Sequence, residues 1–131
     1  MKCLIVEDDF ASRKVLQKAL ASYAECHVAV DGQEALNAFD LAWQENEPYD
    51  LILLDIMMPK VDGQQALLAI RKREKERGLK EVEGAKVVMT TALDDPKNVV
   101  QAYYEGGANG YLTKPYDNKK LLQVLKDMEL I

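Results

Sequence analysis

Four separated stretches carry side chains able to bind or to attack: Glu7-Asp8-Asp9, Asp55, Thr90-Thr91 and Thr113-Lys114-Pro115. Together they offer carboxylates, hydroxyls and one ammonium group. Each stretch has a plain alternative: paired acids are common at helix starts, Lys-Pro is a common turn, and an isolated aspartate can cap one. Asp55 is the most informative, because it closes the apolar run Leu51-Ile52-Leu53-Leu54, and Pro59 ends the stretch that follows. Such a run reads as a strand buried on both faces, as in a parallel sheet covered by helices. A carboxylate in the middle of that strand would leave water without a partner, whereas at its carboxyl end it can meet solvent and ligand.

The elements that must position these groups alternate along the chain. Cys3 to Val6 reads as a first strand, and Val15, Leu16, Ala19, Leu20 and Tyr23 then follow a helical period. Cys26 to Val30 is a short second strand, and Asp31 with Glu34 three residues on marks the start of a helix carrying Ala35, Leu36, Phe39, Ala42 and Trp43. After the third strand, Asp62-Gly63 opens a helix with Ala66, Leu67 and Ile70 inward. Its charged end, Arg71 to Arg77, reads as a solvated face stopping at Gly78. Lys86 to Thr91 is the fourth strand, and Asp95-Pro96 starts a fourth helix running to Gly106-Gly107. Gly110 to Thr113 is the fifth strand, and Asp117 caps a last helix bearing Leu121, Leu122, Leu125 and Met128.

Five strands and five helices in strict alternation predict an α/β fold, a doubly wound parallel sheet of order 2-1-3-4-5 flanked by helices. In such sheets ligands bind beyond the carboxyl ends of the strands, at the switch between strands one and three. All four chemical stretches fall at predicted strand ends.

A chain of 131 residues suits one domain, taken here as 1–131, with no output domain alongside it. The 48% hydrophobic and 30% charged shares are those of a soluble globular protein, and no apolar run is long enough to cross a bilayer. A cytoplasmic protein without membrane contact is expected. A net charge of −5 argues against direct nucleic-acid binding, which needs a basic surface. Cys3 and Cys26 lack CxxC spacing and are expected to be inert buried thiols, neither a zinc site nor a disulfide. His27 reads as an ordinary strand residue.

With "VEDD" at 6–9, "LLDIMMPKVDG" at 53–63, "MTTA" at 89–92 and "GANGYLTKPY" at 107–116, the chain resembles a receiver domain of the two-component response-regulator family, of the flavodoxin-like chemotaxis-receiver type, from Lys2 to about Met128. The resemblance implies that Asp55 is the phosphoacceptor and that Asp8 and Asp9 are the acidic pair holding Mg2+, with Asp55 and the backbone carbonyl of Met57 as further ligands. It implies Thr91 as the switch hydroxyl, Tyr111 as the switch aromatic, and Lys114 as the lysine acting with Thr91 in phosphoryl transfer. Dephosphorylation is tuned in the family at positions matching Met57 and Leu93, both apolar here, so slow hydrolysis is expected.

The charges fit those roles. Carboxylates about 5 Å apart at an effective dielectric near 20 repel by about 3 kcal/mol per pair, a cost that a divalent ion removes. Magnesium takes oxygen ligands and works beside phosphate. The implied partners are a sensor histidine kinase or phosphotransfer protein upstream and an effector protein, or a second copy in a phosphorylation-dependent homodimer, downstream. The implied output surface is the face of the fourth helix, fifth strand and fifth helix, where Val99, Tyr103, Tyr104, Leu121 and Leu122 offer apolar contacts, although most of them read more simply as plain core. The receiver is then no enzyme beyond its own phosphorylation and dephosphorylation.

Three alternatives are weaker. A haloacid-dehalogenase-like phosphatase typically has a second acid two residues after the nucleophile, where this chain has Met57. A flavin carrier would need small hydroxyl residues after strand one, where Glu7-Asp8-Asp9 would repel a phosphate. A receiver-like adaptor that is never phosphorylated would lack an acid or the lysine, and none is lacking.

Overall fold

The run Leu51–Asp55 forms strand β3, and every residue of it is buried. Its alternate side chains enter two different cores, Ile52 and Leu54 on one face and Leu51 and Leu53 on the other. A strand covered on both sides can therefore be apolar throughout. The computed structural model describes residues 1–56, 58, 61–80, 83–92, 97, 101 and 107–131.

Around β3 lie β1 (Lys2–Val6), β2 (Glu25–Ala29), β4 (Lys86–Ala92) and β5 (Gly110–Lys114). All pairings are parallel, in the expected order β2-β1-β3-β4-β5. Helices α1 (Phe10–Leu20), α2 (Gly32–Gln44), α3 (Gly63–Glu76) and α4 (Asn118–Asp127) complete the described elements. Five helices were expected. The one predicted after Asp95-Pro96 falls outside the described residues, apart from Lys97 and Gln101, which are helical.

The sheet separates two apolar layers. On one side α2 and α3 bury Phe39, Leu67 and Ile70 against Leu4, Ile52 and Met89. On the other, α1 and α4 bury Leu16, Leu20, Leu121 and Leu125 against Ile5, Leu53 and Val88. Each fully buried side chain of this size stabilises the fold by about 1.5–3 kcal/mol before entropy is counted.

Helix starts follow the aspartates named above. Asp62 and Gln65 form a complete capping box, and Asp117 accepts from the Lys120 amide. Asp31 accepts from the Glu34 amide, but the Glu34 carboxylate reaches back to the Val30 amide, one residue earlier than a standard box.

Gly63 has a steric cause. It donates its amide to the Ile56 carbonyl at 3.0 Å, and a Cβ there would overlap the Asp55 carbonyl oxygen. Only glycine lets α3 start so close to the end of β3.

Two expectations about faces need correction. Val15 is 55% exposed and Tyr23, 43% exposed, lies past the end of α1, so the buried stripe of that helix is narrower and shorter than its apolar spacing suggested. Leu16 and Leu20 lie at its centre. The charged end of α3 is not wholly solvated: Glu74 is buried, accepting from Arg71 at 2.7 Å and from the Ala85 amide at 2.7 Å. Arg71 also donates to the carbonyls of Ala85 and Gly107 and to Asn109 Oδ1, tying α3 to the segment entering β5. Of the apolar residues named for the output face, Leu121 is plain core, as the alternative reading had it, and Leu122 is half-buried. His27 remains a strand residue, with its Nδ1 2.8 Å from the Tyr49 hydroxyl.

Candidate functional site

Strand direction gathers the site. In β3 the residues sharing a face are Leu51, Leu53 and Asp55, and in β1 the same face continues through Cys3 and Ile5 to Glu7. Val6 pairs with Leu54, so one further step brings Glu7 alongside Asp55. On the other flank Asp55 pairs with Thr90, and Lys114 pairs with Ala92, two residues further along that same face of β4. Lys114 Nζ reaches Asp55 Oδ2 at 3.2 Å and both Glu7 carboxylate oxygens at 3.4 Å.

Glu7, Asp8 and Asp55 each place a carboxylate oxygen within 4.8 Å of the others. Asp55 and Glu7 are buried while Asp8 is exposed, so the trio opens to solvent on one side. Arg13 of α1 holds the backbone beneath it, donating to the Glu7 and Asp8 carbonyls at 3.0 Å each. The donor set is hard oxygen throughout and acidic, which fits a divalent cation of the magnesium or calcium type.

Asp9 is placed differently from the expectation that it shares the metal. Its Oδ2 accepts from the Ser12 amide at 2.8 Å and the Ser12 hydroxyl at 2.6 Å, making it the N-cap of α1. Those hydrogen bonds hold its carboxyl below the usual range. The acidic pair lining the site is thus Glu7 and Asp8, one residue earlier than expected. In the sequence Glu7 stands among the strand-end acids with no role of its own. Alternation along β1 is the signal that would have set it beside Asp55.

Burial, reinforced by a hydrogen bond and charge repulsion from Asp55, pushes the Glu7 carboxyl up to about 7, against the opposing pull of Lys114. For Lys114 burial acts downward, yet the charges of Asp55 and Glu7 outweigh it and hold the ammonium more firmly protonated than usual. Tyr116 stands in the same field, its phenol raised to about 12 by burial and then by Glu7 and Asp55.

Thr91 and Tyr111 occupy the opposite face of the sheet. Thr91 pairs with Thr113 and Met89 with Tyr111, which sets the hydroxyl and the aromatic ring two positions apart on one face. Thr91 is buried and Tyr111 is 45% exposed. Met57, Leu93, Val99, Tyr103 and Tyr104 lie outside the described residues.

The model of the response regulator receiver domain matches residues 3–126. The chain belongs to that family. This receiver domain is 32% identical over 129 residues to the osmosensing histidine protein kinase SLN1 of Saccharomyces cerevisiae, covering 97% of the chain and 10% of the kinase. It is 37% identical to the probable transcriptional regulator ycf27 of Guillardia theta, covering 92% of the chain and 42% of that protein. Among solved structures, the receiver domain of NtrX from Brucella abortus superposes with a TM-score of 0.79 at 26% identity, covering 96% of each chain. The receiver therefore spans a minor part of these two curated relatives. Among its described residues, no helix is long and apolar enough to cross a membrane.

Proposed function

We propose that this receiver accepts a phosphoryl group on Asp55 from the phosphohistidine of a sensor histidine kinase or a phosphotransfer protein, as one step of a two-component phosphorelay. The observation that carries the reading is the Asp55 carboxylate at the end of β3, gathered with Glu7 and Asp8 and 3.2 Å from Lys114 Nζ. Asp55 supplies the attacking oxygen. Its bond to phosphorus forms as the phosphorus–nitrogen bond breaks, the electron pair returning to the imidazole, which takes a proton from solvent. Catalysis of this kind is mostly alignment and charge neutralisation.

Asp8 and Asp55, with Glu7 beside them and the Met57 carbonyl as the family resemblance implies, would hold Mg2+. When bound, the ion neutralises the crowded acids and the phosphoryl oxygens. Lys114 is already paired with Asp55, and its ammonium can follow the charge onto a phosphoryl oxygen as the acyl phosphate forms. The receiver acts on itself alone and turns over no other substrate.

Output follows from the other face of β4. A phosphoryl group adds acceptor oxygens and negative charge at Asp55, to which the Thr91 hydroxyl can donate. Movement of Thr91 vacates space on the face it shares with Tyr111, whose ring then turns inward and changes the surface of β5 and α4 that an effector protein reads. Such two-site coupling is typically about 1–3 kcal/mol, enough to alter partner affinity five-fold or more.

The test is incubation with acetyl phosphate in millimolar magnesium, followed by intact-mass measurement. One phosphoryl group is expected on the wild type and none on Asp55→Asn or in excess chelator. Equal yield in Asp55→Asn would remove Asp55 as acceptor, and equal yield in chelator would remove the metal.

A further inference from the structure

The two cysteines, separate in sequence, are neighbours in the sheet. Parallel register places Cys3 of β1 opposite Cys26 of β2. Register partners project to the same face, and neighbouring strands run about 4.8 Å apart, inside the roughly 4.4–6.8 Å that a disulfide asks of its Cα atoms. Both thiols are free. Their surroundings differ: Cys3 is fully buried in the layer beneath α1 and α4, whereas Cys26 is only half-buried on the outer strand of the sheet.

The pair is also chemically unequal. Cys26 Sγ donates to the Ala24 carbonyl at 3.7 Å, and the neighbouring Cys3 thiol lowers the Cys26 thiol to about 7, while Cys3 itself is raised, first by its neighbour and then by burial. An accessible, acidic thiol beside a buried, protonated one is the arrangement in which the first is oxidised and the second resolves the product.

We propose that Cys26 is a peroxide-sensitive modification site and that Cys3 is its resolving thiol, the two closing a reversible disulfide between β1 and β2. In the first step the Cys26 sulfur attacks one oxygen of hydrogen peroxide. The O–O bond breaks, the departing hydroxide takes a proton to become water, and the sulfur is oxidised by two electrons to sulfenic acid. In the second step the Cys3 sulfur attacks the sulfenic sulfur. The S–O bond breaks, the hydroxide leaves as water with the proton of Cys3, and the S–S bond forms. One peroxide and two thiols thus give one disulfide and two waters. Because Cβ atoms of register partners run side by side rather than toward each other, closure draws the strands out of their relaxed spacing, and a small dithiol reopens the bond readily.

The experiment uses the reduced full chain at pH 7, exposed to one equivalent of hydrogen peroxide and quenched with N-ethylmaleimide under denaturing conditions. The expected product is a monomer lighter by two hydrogens, protected at both thiols and restored by dithiothreitol. Cys26→Ser should leave Cys3 open to the maleimide. Cys3→Ala should arrest Cys26 as a sulfenic acid that dimedone traps. Iodoacetamide at pH 7 should alkylate Cys26 about tenfold more slowly in Cys3→Ala than in the wild type, after allowing for the lower nucleophilicity of a more acidic thiol. If Cys3→Ala lost its cooperative melt, Cys3→Val would give the same comparison. The proposal is overturned if both wild-type thiols survive the peroxide, if only disulfides between chains form, or if the alkylation rate is unchanged when Cys3 is replaced.

Discussion

Lys114 Nζ lies 3.2 Å from Asp55 Oδ2 although β4 separates the strands that carry them. The ammonium spans a neighbouring strand to reach the acid, and the same group touches Glu7 on β1. Lys114→Met should slow phosphorylation of Asp55 by about a hundredfold, the usual loss when one charge-stabilising donor is removed. Initial rates of labelling by acetyl phosphate at saturating magnesium measure it, and a rate within a factor of two of wild type would separate Lys114 from the reaction.

Asp8 and Asp9 are adjacent acids in different surroundings, one gathered with Glu7 and Asp55 and the other capping α1. Asp8→Asn removes a charge from the trio and should weaken magnesium binding by about tenfold or more. Asp9→Ala removes the cap of α1 and should cost about 1 kcal/mol of stability, while leaving magnesium affinity within about threefold. Calorimetric titration with magnesium, beside a denaturant melt, distinguishes the two. Equal losses of affinity would return Asp9 to the metal site.

Glu7 makes the metal-free protein sensitive to pH. Its carboxyl is raised from an ordinary 4.5 to about 7, so the folded chain keeps this proton where the unfolded chain has lost it. The associated stability is fully present below the unfolded value and is lost as pH rises through about 7. In chelator, the melting temperature of wild type relative to Glu7→Gln should fall between pH 5 and pH 8, and magnesium should offset the fall. A constant difference across that interval would contradict the account.

Gly63→Ala should cost about 2–3 kcal/mol, because its methyl would meet the backbone of Asp55 rather than a movable side chain. The damage should extend to function, since the displaced atoms belong to the proposed phosphoacceptor. Slower labelling together with lower stability is the expected result, checked by acetyl phosphate kinetics and urea melts.

Arg71→Ala should destabilise by about 3 kcal/mol, as it strands the buried Glu74 carboxylate and releases Asn109 and the Gly107 carbonyl. The double variant Arg71→Met with Glu74→Leu should recover part of the loss. A simple sum of the single effects in that cycle would show that the two side chains act independently.

These residues also show what the sequence makes legible. Asp55 could be found because an apolar run buried on both faces has one place to keep an acid. The sheet order followed from alternation, since each crossover returns the chain parallel. Asp9 is ambiguous in the sequence because a helix cap and a metal ligand ask for the same residue at the same place, and Ser12 three positions on marks the cap. Val15 and Leu16 both fit a helical period, which locates a stripe but not its edges. Glu74 was hidden in a run of charges because its partners, Arg71 and the Ala85 amide, come together only when α3 packs beside β4. The nearness of Cys3 and Cys26 is a property of register, which no local spacing records.

Register between β4 and β5 has a consequence for how the site tolerates change. Side chains alternate with period two, so a slip of one residue along β5 would turn Lys114 away from Asp55 and present Thr113 instead. The backbone ladder would survive with its hydrogen bonds intact, while the acids would lose their only cation among the described ion pairs of the site. A single-residue insertion or deletion near Gly110 is therefore a frameshift in three dimensions: the sheet would still be spelled correctly, and the charge balance at its mouth would be misread.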